Sequence, residues 1–249
     1  MTTTAAPVGA PEARMTLVEH LTELRQRIVK SISAILVGAV VGFVLYDRFL
    51  SYITRFYRDA VHDPNARLLI TSPVEGITTR LTVASYGGIV LALPVLMWQF
   101  WKFIAPGLYA KERKYGLLFV FSSVLLFAMG GTIAILTLPQ ALKFLVSVSG
   151  KAVETRYTPA KFVNFTTLLV ITFGFSFEFP IVLIFLQIIG VLNYRQLLKV
   201  WRYAVVGIFV FAALATPSQD PYSLFGMALP MVVFYFGAIL VGRFIRKKK

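Results

Sequence analysis

Residues 161–195 read KFVNFTTLLVITFGFSFEFPIVLIFLQIIGVLNYR, and between the lysine and the arginine that bound this stretch there is a single charge, Glu178. Lys161 and Arg195 each lie 17 residues from that glutamate. A helix needs about 20 apolar residues to cross a hydrocarbon core of ~30 Å, so the stretch reads as a membrane span with a carboxylate at its centre. A charged carboxylate facing lipid at that depth costs about 3 kcal/mol or more. Glu178 must therefore face a wet concavity, hold a polar group of a partner, stay protonated, or hydrogen-bond within its own bundle.

Working outward, the pattern recurs along the 249-residue chain. Uncharged runs cover 31–46, 81–98, 115–138, 203–219 and 221–242. Composition agrees: 57% of residues are hydrophobic and only 14% charged, where a soluble domain carries about 25%. The expected fold is all-α and polytopic, with six transmembrane helices in a domain spanning 15–242. Residues 1–14 are small and Pro-containing and lack the basic start and apolar core of a cleavable signal; they read as a disordered cytoplasmic leader. Residues 243–249 form a basic cytoplasmic tail.

The formal charge of +14 is unevenly placed. Sixteen of the 25 Lys and Arg fall in the N-terminal segment, the 99–114 and 195–202 loops and the tail. That bias puts these segments and both termini on the cytoplasmic side. The tail RFIRKKK suits anionic lipid rather than nucleic acid. With no cysteine, disulfides and thiolate chemistry are excluded. HExxH, GxGD and Walker-type motifs are absent, and the histidines are His20 and His62 alone. No enzyme, cofactor or metal is expected.

Finer features follow from spacing. Leu17, Leu21, Leu24 and Ile28 form one apolar stripe, so the first helix starts along the cytoplasmic surface. Segments 47–76 and 139–161 read as external. TSPVEG (71–76) offers a capped start to the second helix. Gly87, Gly88 and Pro94 permit close packing and a bend there. Trp98, Phe100, Trp101 and Phe103 read as interfacial anchors. Only fourteen uncharged residues, Tyr203 to Thr216, serve the fifth helix, about 21 Å at 1.5 Å per residue. The sixth carries Pro230, read as an interruption. Short spans thin the bilayer locally.

Four acids stand out: Glu23 in HLTELR (20–25), Glu112 in YAKER (109–113), Glu178, and Asp220 in TPSQDP (216–221). The residues alone leave plainer uses open. Glu112 sits among Lys111, Arg113 and Lys114 and could be a solvated charge; Glu23 could pair with Arg27 at i+4; Asp220 could cap a helix beginning at Pro221.

Taken in order, HLTELR, SPVEG (72–76), QFWKFIAPGLYAKER (99–113), FGFSFEFP (173–180) and TPSQDPYS (216–223) resemble the TatC family, the polytopic component of the twin-arginine protein translocase. The likeness extends over roughly 15–242. It implies a curved wall of helices with a concave polar face, acting as a non-enzymatic receptor and scaffold in the bacterial cytoplasmic membrane. Such a protein binds the Arg-Arg signal peptides of folded cargo, assembles with single-span TatA- and TatB-type subunits, self-associates, and draws on the proton-motive force. By the same resemblance Glu112 and Glu23 contact the arginine pair, and Phe103, Gln99 and Arg25 line that surface. Glu178 is the intramembrane glutamate and Asp220 the external aspartate. Two positions depart from the pattern: SYITRFYRDA (51–60) lacks the proline usual after the first helix, and FYFGA (234–238) has Phe236 where a glutamate is frequent. The alternative reading, a small proton-coupled secondary transporter using Glu178, lacks the inverted repeats and paired broken helices typical of that class.

Overall fold

The computed structural model describes residues 17–104, 116–150 and 157–247. Its helices are α1 (Leu17–Val44), α2 (Tyr46–Val61), α3 (Glu75–Ile104), α4 (Gly116–Val148), α5 (Pro159–Ser176), α6 (Phe179–Ile188), α7 (Tyr194–Ala215) and α8 (Pro221–Lys247). Six stretches are long and apolar enough to cross a membrane: Leu21–Val44, Glu75–Ile104, Gly116–Val148, Pro159–Ile188, Tyr194–Ala215 and Pro221–Phe244. The fourth of these, built from α5 and α6, is the most buried, and the first is the least.

The helices gather around α4, which packs on α2, α3, α5 and α8. α1 packs chiefly on α3, α3 on α4 and α5, α4 and α6 on α8, and α8 on α7. The α1–α3 crossing is tight because Gly38 faces Gly88: a Cβ on Gly88 would lie 2.7 Å from the Ile35 carbonyl oxygen. The α4–α5 crossing is equally close, since a Cβ on Gly130 would lie 2.6 Å from the Phe173 carbonyl oxygen. With little hydrophobic drive between helices in lipid, such backbone approach is the main source of packing attraction.

Several boundaries differ from the sequence reading, each for a physical reason. The segment 47–76, read as external, contains most of α2, whose Tyr46, Ile53, Tyr57 and Ala60 recur at helical spacing and are buried. That face packs on α4, while Arg55, Arg58 and Asp59 stay exposed. The segment 139–161 is likewise partly helical, because α4 runs on through Pro139 to Val148. At 33 residues it is about 50 Å long and overhangs the bilayer, which is how it reaches α2. The long fourth span breaks at Phe177–Glu178, where Pro180 lacks the N–H that would continue the ladder and its ring opposes the carbonyl of Ser176.

The last two spans also need correction. α7 has 22 residues, about 33 Å, and starts at an Asn193 capping box with Gln196. What is short is its uncharged portion, since Arg195, Lys199 and Arg202 occupy the first turns. α8 is continuous through Pro230 for 27 residues, so the sixth helix is neither short nor interrupted.

Candidate functional site

The α1–α3 crossing sets the register of the first candidate cluster. Gly38 meets Gly88 and Gly42 meets Ala84, and the two helices run antiparallel. Continuing that pairing from Gly38 and Gly88 brings Arg27 level with Gln99 about three turns along and Glu23 level with Phe103 about four turns along. Glu23, Arg25, Gln99 and Phe103, distant in sequence, thus occupy the same end of one helix pair. Gln99 and Phe103 are half-buried and Arg25 is exposed. Glu112 lies outside the described residues.

Within this cluster Glu23 accepts a hydrogen bond from Arg27 Nη2, forming an ion pair one turn apart. The plain i+4 reading of Glu23 is therefore realised. The side chains are only 20% and 16% exposed, and the pair is single-stranded rather than forked. Among the described residues, Glu23 Oε2 and Arg27 Nε are buried without hydrogen-bond partners.

The aromatic run beside the cluster divides its labour. Lys102 Nζ lies 5.0 Å from the Trp98 ring centroid, an interfacial cation–π contact. Trp101, expected as an interfacial anchor, is instead buried at 5% exposure. It packs against Phe119 of α4 at 5.0 Å and Phe185 of α6 at 6.0 Å between ring centroids. This aromatic layer joins α3, α4 and α6 at the level of the charged end.

The second candidate, Glu178, sits at the break between α5 and α6. It occupies the N-cap position of α6 but its side chain makes no capping hydrogen bond. Its direction is set by α4: a Cβ on Gly174 would run into the Phe127 ring, and one turn farther along the same antiparallel pair Ser123 comes level with Glu178. Ser123 is fully buried and its hydroxyl faces the carboxyl. The two do not close a hydrogen bond of ordinary geometry, because Ser123 Oγ and Glu178 Oε1 both remain unpartnered among the described residues. Unsatisfied polar atoms in a nonpolar surrounding are costly, so the pair is an incomplete polar site. Glu178 lies seven residues from Phe185, about 10 Å deeper than the aromatic layer.

A polar residue not singled out from sequence, Gln187 of α6, donates from Nε2 to the Ala238 carbonyl of α8 at 3.0 Å and to Leu183 at 3.3 Å. Gly242 of α8 leaves room for its amide. An amide nine residues past Glu178 in an otherwise apolar run was the available signal. Nearby, Tyr235 Oη donates to the Leu197 carbonyl at 2.7 Å, so α8 is tied to both α6 and α7.

Asp220 and Glu75 are structural in geometry. Asp220 is fully buried; its Oδ1 accepts the Ser223 N–H at 2.8 Å and its Oδ2 accepts the Ser218 hydroxyl. With Pro221 as the first residue of α8, this is an N-cap. Glu75, 7% exposed, extends the cap expected at TSPVEG. Its Oε2 accepts the Thr71 N–H at 2.9 Å and hydroxyl at 3.2 Å, and its Oε1 accepts the Ala160 N–H at 3.2 Å. One carboxylate thereby joins the starts of α3 and α5.

Residues 19–230 match the family described as Sec-independent protein translocase protein (TatC). The chain belongs to the TatC family. Relatives agree over nearly the full length: the TatC of Magnetococcus marinus is 36% identical, over 96% of this chain and 88% of the relative, and that of Carboxydothermus hydrogenoformans 34%, over 94% and 96%. The longer TatC of Frankia casuarinae is 32% identical, and the match spans 66% of its length. The fold is that of a crystal structure described as the twin-arginine translocase receptor TatC, with a TM-score of 0.74 and 32% identity, covering 92% of this chain and all of that one. This TatC chain is accordingly a multi-pass membrane protein of the twin-arginine pathway, a receptor subunit for protein transport rather than an enzyme. That assignment displaces the secondary-transporter reading.

Proposed function

We propose that this TatC subunit divides its work between two places in the bilayer. At the cytoplasmic end of α1 and α3, Glu23 and Glu112 accept the guanidinium groups of a signal peptide's arginine pair, with Gln99, Phe103 and Arg25 around them. Planar guanidinium donors bind carboxylates in a fork, whereas an ammonium is a point charge, which gives a basis for preferring Arg-Arg to Lys-Lys. Deeper in, Glu178 with Ser123 takes a polar side chain from a single-span TatA- or TatB-type helix. Both termini lie on the cytoplasmic side, 1–14 and 243–249 flank the translocase domain there, and the proton-motive force drives transport in an assembly containing further copies of this chain. Asp220 serves the external turn as a cap.

The observation that supports this division is the separation of the sites: the charged end is level with the Trp101–Phe119–Phe185 layer, since Trp101 lies between Gln99 and Phe103 on α3, and Glu178 lies about 10 Å from that layer along α6. The test is crosslinking in membranes. A twin-arginine peptide is expected to crosslink to the unmutated protein and a twin-lysine peptide far less. Glu178→Ala should keep peptide crosslinking and lose crosslinking to the single-span partner, with Glu178→Gln milder because an amide still hydrogen-bonds. Equal capture of both peptides rejects the first site, and wild-type partner crosslinking by Glu178→Ala rejects the second.

A further inference from the structure

The Glu23–Arg27 pair is half made. Arg27 holds one carboxylate oxygen through Nη2, and the other oxygen, together with the Arg27 Nε–H, is buried and unpartnered among the described residues. A carboxylate can accept a forked guanidinium through both oxygens, so half of the acceptor capacity of Glu23 is free. The pair stands level with Gln99 and Phe103 by the register that Gly38–Gly88 and Gly42–Ala84 establish. Both side chains keep a minority of their surface open, 20% for Glu23 and 16% for Arg27.

We infer that Arg27 is a resident guanidinium that holds the place of a signal-peptide arginine on Glu23 and is exchanged for it on binding. The inference rests on the receptor reading above. Exchange begins when the pair, part of whose surface is open, turns so that the buried Oε2 is presented: an incoming guanidinium is accepted there while Arg27 still holds Oε1, and Arg27 then swings away along its flexible stem. At no stage is a largely buried carboxylate left without a cation, which is the costly state. The consequence is a receptor whose affinity is held down by its own side chain. If the pair has the strength of an ordinary helix-surface ion pair, the competing state reduces apparent affinity about two- to fivefold.

The experiment is fluorescence anisotropy of a labelled twin-arginine peptide, and of its twin-lysine counterpart, on the full chain in nanodiscs. Arg27→Gln, which keeps helix propensity, is expected to tighten both peptides by the same factor of about two to five, leaving their ratio unchanged. In the Glu23→Gln background, Arg27→Gln should then tighten binding clearly less, by no more than the loss of one neighbouring positive charge, and Arg27→Lys should fall between wild type and Arg27→Gln. Tightening of equal size in the Glu23→Gln background would mean simple charge repulsion and overturn the exchange. Weaker binding with a collapsed Arg/Lys ratio would make Arg27 a positioning residue and overturn it equally. Absence of any Arg/Lys preference in the unmutated protein would sink the receptor site itself, and the exchange with it. Matching thermal unfolding of the unmutated protein and its four variants shows that the differences are not failures to fold.

Discussion

Gly88→Ala tests whether the α1–α3 crossing positions the charged end. The added methyl would sit 2.7 Å from the Ile35 carbonyl oxygen and 2.9 Å from the Ala39 amide nitrogen, where ordinary contact begins at 3.4 Å. Both obstacles are backbone atoms, so no rotamer relieves the clash and the helices must part by roughly 0.5–0.7 Å. Overpacking of this kind costs about 1–3 kcal/mol, and at about 2–4 °C per kcal/mol for a chain of this size the unfolding temperature should fall by several degrees. Gly207→Ala is the control, because a Cβ there meets nothing within 4 Å; it should be neutral or slightly stabilising. Thermal unfolding in detergent gives the stability, and peptide anisotropy reports whether Glu23 has moved relative to Gln99 and Phe103. If Gly88→Ala unfolds with Gly207→Ala and binds peptide like wild type, the crossing neither limits stability nor sets the register of the site.

Three more outcomes follow from the geometry. Asp220→Ala should cost about 1 kcal/mol through loss of the α8 cap, with Asp220→Asn retaining most of it; an alanine variant with unchanged unfolding temperature would deny the cap any energetic role. Gln187→Ala removes the α6–α8 tie and should cost about 1 kcal/mol, read as a lower unfolding temperature, and no change would mean that packing alone joins these helices. Burial, and secondarily the neighbouring Tyr57, raise the Tyr157 phenol above 10.0. Because the unfolded chain then loses its proton first, stability should be intact below pH 10.0 and decline as pH climbs through the folded value. Tyr157→Phe should flatten that decline; a tyrosinate absorbance titration in which wild type and variant coincide would contradict it.

The spans were legible because a missing charge over 20 residues has few other meanings, and Glu178 stood out for the same reason. Boundaries were harder. α2 carries Asp47, Arg48, Arg55, Arg58 and Asp59, which hid its buried face of Tyr46, Ile53, Tyr57 and Ala60. Pro230 suggested an interruption, and the segment read as external began at Pro139, yet helices α8 and α4 run through these prolines; in lipid, neighbouring helices and local adjustments compensate for the lost hydrogen bond. Pro180, of the same residue type, does mark the break. At the site, Glu23 was visible as a motif residue, but its level with Gln99 and Phe103 depends on Gly38 and Gly88, a contact between segments 50 residues apart. Ser123 carried no sequence signal, since a serine in a span usually bonds its own helix and only the α4–α5 register brings it to Glu178.

The break at Phe177–Glu178 also divides the chain mechanically. On one side α5 is locked to α4 by Gly130 and Gly174; on the other, α6 is fastened to α8 through Gln187. The residues between them are the seam where these two bodies meet, with the helical ladder interrupted by Pro180. A push on α8 from the turn at Asp220 or from α7 is carried both to α4 and to α6, on which α8 packs, and the α6 branch arrives at the seam. Glu178 therefore stands at the one place where the ladder between α5 and α6 is interrupted, so whatever grips its carboxyl also bears on the angle between those two helices.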